Sequence, residues 1–123
     1  MPRLTCYVRG PREIEAMLYG LARACLAQMR EQKFPPLYKS GVRYKREPIG
    51  QEVWQTAKET LAKGYGDCED LAAWRLAELW MSGETGARPE CYSPRPGLIH
   101  CVVRRATGRR EDPSKRLGMG GAG

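Results

Sequence analysis

The segment from Cys68 to about Met81 constrains this chain more than any other. Leu71, Ala72, Ala73, Trp74, Leu76, Ala77, Leu79 and Trp80 make it apolar nearly all round. Only a narrow stripe through Arg75, Glu78 and Ser82 is polar. A helix of this kind has no broad solvent face and must be enclosed by other elements. Asp67 is a good N-cap, because its carboxylate accepts orphan N–H groups of the first turn. Gly83 lies just beyond the helix end. With 123 residues the chain is one domain by size. Cys68 therefore sits at the start of the central helix of a single core.

The flanking segments supply the enclosure. A first helix is predicted from near Pro11 to about Glu31, with Ile14, Met17, Leu18, Leu21, Ala22, Cys25, Leu26 and Met29 on one face. Pro11 suits a first helical turn, where its missing N–H costs nothing. Residues 34–50 hold three prolines and two glycines and read as an extended connector. A connector of that length is expected to pack on the body or to serve function. A second helix is predicted from about Gln51 to Lys63, with Gly64 as its C-cap. Beyond Gly86 the pattern turns to strands. Ala87 to Tyr92 is a weak strand, and Leu98 to Val103 a strong one. Ala106-Thr107-Gly108 reads as a three-residue hairpin loop, with Gly108 left-handed. Arg109 to Asp112 returns as the partner strand, which Pro113 stops. The domain spans 1–117, and residues 118–123 form a flexible Gly-rich tail.

Composition excludes several functions. No apolar run approaches the roughly 18 residues of a membrane span. The start Met1-Pro2-Arg3-Leu4-Thr5-Cys6 lacks the apolar run of a signal peptide, so a cytoplasmic or virion-associated location is expected. The 21 Lys+Arg against 14 Asp+Glu give a charge of +7, which reads first as a solvated basic surface. Only Tyr92 lies among the C-terminal arginines, and single-strand binders interleave several aromatics, so nucleic acid is not the expected partner. The five cysteines are odd in number, irregular in spacing and contain no CxxC pair. Neither a disulfide framework nor a structural zinc site is expected; reduced thiols fit better. His100 is the single histidine. That rules out mechanisms needing two, and leaves those needing one.

Cys68 is well placed for such a mechanism. A helix N-terminus carries about half a positive charge, which favours the reactive thiolate. His100 is the one available imidazole partner, and it needs an acceptor to fix its tautomer. If the loop is Ala106-Thr107-Gly108, then Arg105 faces Arg109 and Asp112 faces Val102. His100 and Val102 point to one face, so Asp112 becomes a diagonal neighbour of His100. A two-residue loop at Thr107-Gly108 would turn Asp112 to the wrong face. Taken singly, each residue has a plainer role: a packed thiol, a core imidazole and an ordinary turn opening.

The run Trp54 to Leu61, WQTAKETL, leads into Gly64-Tyr65-Gly66-Asp67-Cys68-Glu69-Asp70-Leu71-Ala72. It resembles the nucleophile segment of transglutaminase-like cysteine peptidases, nearest to the bacterial branch that includes periplasmic adhesin-cleaving proteases. The resemblance covers roughly residues 51–117. It implies an α+β, papain-like core, in which a Cys-bearing helix packs on a short antiparallel sheet carrying His and then Asp. It implies that Cys68 attacks an amide or ester carbonyl, that His100 activates the thiol and protonates the leaving group, and that Asp112 orients His100. The Cys68 backbone N–H is the expected oxyanion donor; Trp54, Gln51 and Gln55 are candidates for the second. No cofactor is implied.

Acids beside the cysteine hold calcium in the adhesin-cleaving relatives, and Asp67, Glu69 and Asp70 match them. Calcium takes six to eight oxygens, so helix capping is preferred here to a metal. The substrate class implied is a protein or a peptidoglycan peptide, with hydrolysis preferred over cross-linking. The chain departs from those relatives in being short, basic and without an evident signal. It is similar in this to small proteins encoded among phage structural genes. The rival expectation is a virion component, bound to other phage structural proteins, that keeps the fold with little or no turnover.

Overall fold

A computed structural model describes residues 10–46 and 53–119. It is mixed helix and sheet, as an α+β chain should be. Helix α1 spans Pro11–Glu31, and helix α3 spans Cys68–Met81. Both match the expected bounds, because both carry local start signals. Pro11 opens α1, and the Gly10 N–H is held by Glu13 Oε1 at 2.7 Å. Ile14, Leu18, Ala22 and Cys25 form the buried face of α1.

In α3, Cys68, Asp70, Leu71, Ala72, Ala73, Trp74, Leu76, Ala77 and Leu79 are all buried. Its polar stripe is only half-buried at Arg75 and Glu78 and exposed at Ser82, yet its charged members are bonded into the fold. Glu78 Oε2 accepts the Trp74 indole N–H at 3.1 Å and the Leu37 N–H at 2.7 Å. Arg75 Nε donates to Glu111 Oε2 at 2.7 Å. The stripe thus ties the connector and the sheet to the helix, which is buried along most of its length and exposed at Met81.

The connector packs on the body. A 3-10 turn at Leu37–Lys39 buries Leu37, and Val42 is also buried. Strand β1, Arg43–Tyr44, pairs in parallel with β2, Tyr65–Gly66. Gly66 is required there: a Cβ would lie 3.1 Å from both Asp70 Cβ and Thr60 Cγ2.

Helix α2 spans only Ala57–Lys63, shorter than expected. The reason is a capping box at Thr56-x-x-Glu59. Glu59 Oε1 accepts the Thr56 N–H at 2.8 Å, and the Thr56 hydroxyl caps the Glu59 N–H. Residues 53–56 precede the helix, and the expected start at Gln51 lies outside the described residues.

Strands β3 (Arg88–Arg95), β4 (Leu98–Arg104) and β5 (Arg110–Glu111) form an antiparallel sheet in that order. Strand β3 runs three residues further than expected, with an irregular register between Tyr92 and Arg95. The β4–β5 loop is the three-residue one. Arg105 N–H donates to Arg109 O at 2.7 Å, and Gly108 has φ +94°. Strand β5 ends one residue before Asp112, which instead caps a short helix α4, Pro113–Arg116. Asp with Pro at the next position is a helix start, and that competing signal takes the residue from the strand. The expected tail opens as a turn on α4, with the Met119 N–H donating to Ser114 O at 2.8 Å; residues 120–123 lie outside the description. Among the described residues, no helix is long and apolar enough to cross a membrane.

The core and the caps should separate in a denaturation series. Leu71→Ala, at a fully buried position, should cost about 2–5 kcal/mol. Thr56→Ala should cost about 1 kcal/mol. Equal midpoints in urea for the two variants would contradict this packing.

Candidate active site

Three elements bring the site together. Cys68 is the first residue of α3, fixed by its Asp67 cap. His100 lies in β4, where Tyr92 of β3 faces it. The pairing Val103↔Glu111 places Asp112 opposite Val102, just past the end of β5. The diagonal contact follows: His100 Nε2 and Asp112 Oδ2 are 2.8 Å apart. Asp112 Oδ1 meanwhile accepts the Lys115 N–H at 3.2 Å. One carboxylate therefore caps a helix and fixes a ring. With Nε2 held by Asp112, Nδ1 is the ring nitrogen left for the thiol.

The Cys68 sulfur meets β4 at its backbone. The Cys101 thiol, the His100 ring and the Cys101 N–H are the neighbours that favour its charged form. The N–H is available because β5 pairs only with Val103 and Arg104, leaving that side of β4 open at residue 101. Strand register agrees. The Cys91 N–H, on the other side of the Cys91–Cys101 pair, turns outward to Glu15 Oε2 at 2.8 Å. In such a non-hydrogen-bonded pair both N–H groups point away from the partner strand.

The electrostatics follow from these contacts. Cys101 first, and then His100, draw the Cys68 thiol down from its ordinary value to about 6, against burial and the Asp67 charge. Asp112 first, and then Cys68, raise His100 to about 9. Burial pulls Asp112 upward, but His100 outweighs it and holds the carboxyl below its usual range. Between about pH 6 and 9 the pair is thus thiolate and imidazolium. The Cys68 contribution to stability is complete above its unfolded value of 9.0 and is lost as pH falls through about 6. The His100 contribution is complete below 6.5 and is lost as pH rises through about 9. Tyr92 packs edge-on against the His100 ring, with centroids 5.7 Å apart, and Arg110 stands over the Tyr92 ring at 4.8 Å.

The expected oxyanion donors fare differently. The Cys68 N–H donates to Asp67 Oδ1 at 2.6 Å, so it serves the cap instead of standing open. Gln55 is buried, and its amide nitrogen donates to Thr60 Oγ1 at 3.2 Å and to Tyr65 O at 3.1 Å. Both amide protons are spent on holding α2 against β2. Trp54 is half-buried against the core. Gln51 lies outside the described residues. Tyr44, which the sequence did not single out, feels the charges of Asp67 and Cys68 after burial and is raised to about 12.

The acidic residues do not form a calcium cage. Ligand atoms of Asp67, Cys68 and Glu69 lie within 4.8 Å of one another. Asp70 is committed elsewhere: Oδ1 accepts the Gln55 N–H at 2.8 Å, and Oδ2 the Asp67 N–H at 3.0 Å. Burial first, and then the Cys68 and Asp67 charges, raise Glu69 to about 9, so it is protonated near neutral pH. A neutral acid, a capping carboxylate and a thiolate are a poor donor set for a hard cation that wants six to eight oxygens.

The hairpin arginines are largely paired. Arg104 and Arg110 bind Glu90, and Arg105 binds Glu84 and Glu111. Arg105, Arg109, Arg110, Lys115 and Arg116 still line a basic hollow beside Asp112. Compared with family models, curated proteins and solved structures, the chain has no match.

Alkylation reads the site directly. Cys68 should react with iodoacetamide along a pH curve with its midpoint near 6. Cys25, raised to about 12 by burial, and Cys101, raised by its sulfur neighbours and burial, should lag far behind. Equal labelling of all cysteines, with a shared midpoint near the ordinary thiol value, would contradict the arrangement.

Proposed function

We propose that the protein is a thiol-dependent acyl hydrolase, a transglutaminase-like peptidase or amidase with a papain-like core. One observation carries this reading: the chain's single imidazole lies between the helix-start thiol and a carboxylate 2.8 Å from its Nε2. The Cys68 thiolate attacks an amide carbonyl, the carbon–nitrogen bond breaks, and His100 protonates the departing amine. Water activated by His100 then hydrolyses the thioester. Asp112 keeps the ring oriented throughout, and Tyr92 buttresses its other side. The substrate class is a protein or a peptidoglycan peptide. Hydrolysis prevails over cross-linking where no bound amine excludes water.

A second reading has an observation of its own. Cys68 is 5% exposed and His100 7%, as befits a virion component that has kept the fold with little turnover. Turnover decides between the two. Peptides and peptidoglycan fragments incubated with the chain and followed by mass spectrometry should be cleaved, and Cys68→Ala should abolish cleavage. Asp112→Asn keeps an acceptor for the α4 cap but disturbs the ring, and should lower kcat by about 10²- to 10⁴-fold. The pH profile should be a bell with limbs near 6 and 9. Cleavage that persists in Cys68→Ala would overturn the hydrolase reading; no cleavage by the wild type would favour the virion reading.

A further inference from the structure

Three sulfurs lie in series beneath this site. On one side Cys101 neighbours Cys68 closely enough for the two thiols to shift each other's ionisation. On the other it faces Cys91 directly across the β3–β4 pair, Sγ to Sγ 2.7 Å, with neither sulfur bonded to another. The pair is of the non-hydrogen-bonded kind, with Cα atoms about 4.5 Å apart. That separation lies within the range a disulfide spans without backbone movement. Cys101 is fully buried, and Cys91 is 5% exposed. Cys91 lines a surface hollow with Gly10, Pro11, Arg12, Glu13 and Glu15 at the start of α1. The series therefore runs from the thiolate, through a fully buried sulfur, to a buried residue that borders a surface hollow.

We propose that Cys68, Cys101 and Cys91 form a relay that converts hydroperoxide oxidation of Cys68 into a reducible Cys91–Cys101 disulfide. The oxidant is a hydroperoxide, ROOH. The Cys68 thiolate attacks its terminal oxygen, the O–O bond breaks, and the product alcohol leaves with a proton from the His100 imidazolium. Cys68 is now a sulfenic acid. Cys101 attacks its sulfur, the S–O bond breaks, and the oxygen leaves as water with the Cys101 proton. Cys91 then attacks the Cys101 sulfur of the Cys68–Cys101 disulfide, and Cys68 departs as thiolate. The Cys91 proton returns to His100. In sum, one hydroperoxide is reduced by two electrons to alcohol and water, and two thiols become one disulfide. Oxidation of Cys68 removes the first of the influences that hold Cys101 protonated; Cys91 and burial remain. A small thiol entering the hollow at Cys91 would reverse the oxidation.

The relay shares the Cys68 thiolate and the His100 imidazolium with the hydrolase reading, and nothing else. Its test uses the full chain, reduced, treated with hydrogen peroxide, blocked with iodoacetamide and mapped by peptide mass spectrometry. The wild type should yield a Cys91–Cys101 disulfide while Cys68 stays alkylatable. Cys91→Ser should stop at a Cys68–Cys101 disulfide, with Cys68 labelling lost. Cys101→Ser should drive Cys68 to sulfinic acid about tenfold faster than in the wild type. Wild-type Cys68 reaching sulfinic acid as fast as in Cys101→Ser would overturn the relay, as would an untouched Cys91–Cys101 pair at peroxide levels that consume Cys68. Should Cys101→Ser fail to fold, the wild-type and Cys91→Ser maps decide alone. A chain that forms the disulfide yet cleaves nothing keeps the relay and loses the hydrolase; the converse loses the relay alone.

Discussion

The site depends on one vacancy in a hydrogen-bond ladder. Strand β5 pairs with only two residues of β4 before Asp112 and Pro113 turn the chain into α4. The Cys101 N–H is left without a β5 partner, and it is one of the groups that favour the charged Cys68 sulfur. A buried N–H without an acceptor is costly, and a thiolate is a good acceptor. The geometry that stabilises the charged sulfur is thus the same geometry that satisfies the strand. The residue that ends β5 early is also the one that holds the imidazole. Truncation of the strand, the α4 cap and ring orientation are one local event at Asp112.

The surrounding fold is organised to hold that event still. Helix α3 cannot shift, because its apolar sides are buried and its polar stripe is bonded to the connector and to Glu111. Glu111 Oε1 accepts from Arg105 at 2.9 Å, and Oε2 accepts from Arg75 and the Tyr38 hydroxyl. This carboxylate adjoins Asp112, so strand β5 is anchored to α3 and to the connector at the position next to the site. Charged groups at a small domain's edge contribute little as isolated surface pairs. Half-buried and sharing acceptors, as here, they set position more than stability.

Much of this was legible in the sequence, and the reasons differ by residue. Asp67, Pro11 and Gly64 are local signals, and the helices they bound lie close to where those signals put them. Thr56-x-x-Glu59 is equally local and marks the true start of α2, whereas the predicted start at Gln51 ignores that capping box. The hairpin register followed from Gly108, and with it the His100–Asp112 contact. What alternation concealed was Cys101. Side chains at 100 and 101 point to opposite faces of a strand, so alternation with His100 in the site gives no reason to look at Cys101. The thiol approaches the strand's backbone edge, where both faces are in reach, and pattern alone carries no signal of that. The Cys68 N–H differs from expectation for a related reason: the cap that satisfies the first turn also occupies the donor an oxyanion would need.

Because the chain has a single histidine, its imidazole resonances are unambiguous, and their titration tests the central claim most directly. NMR of the ring nitrogens should give His100 a midpoint near 9 in the wild type. Cys68→Ser should move it down, because the neighbouring thiolate is gone while Asp112 remains. A wild-type midpoint at the ordinary value of about 6.5, unmoved by Cys68→Ser, would mean that ring and sulfur do not share a charge. The site would then be only a packed thiol beside a packed imidazole.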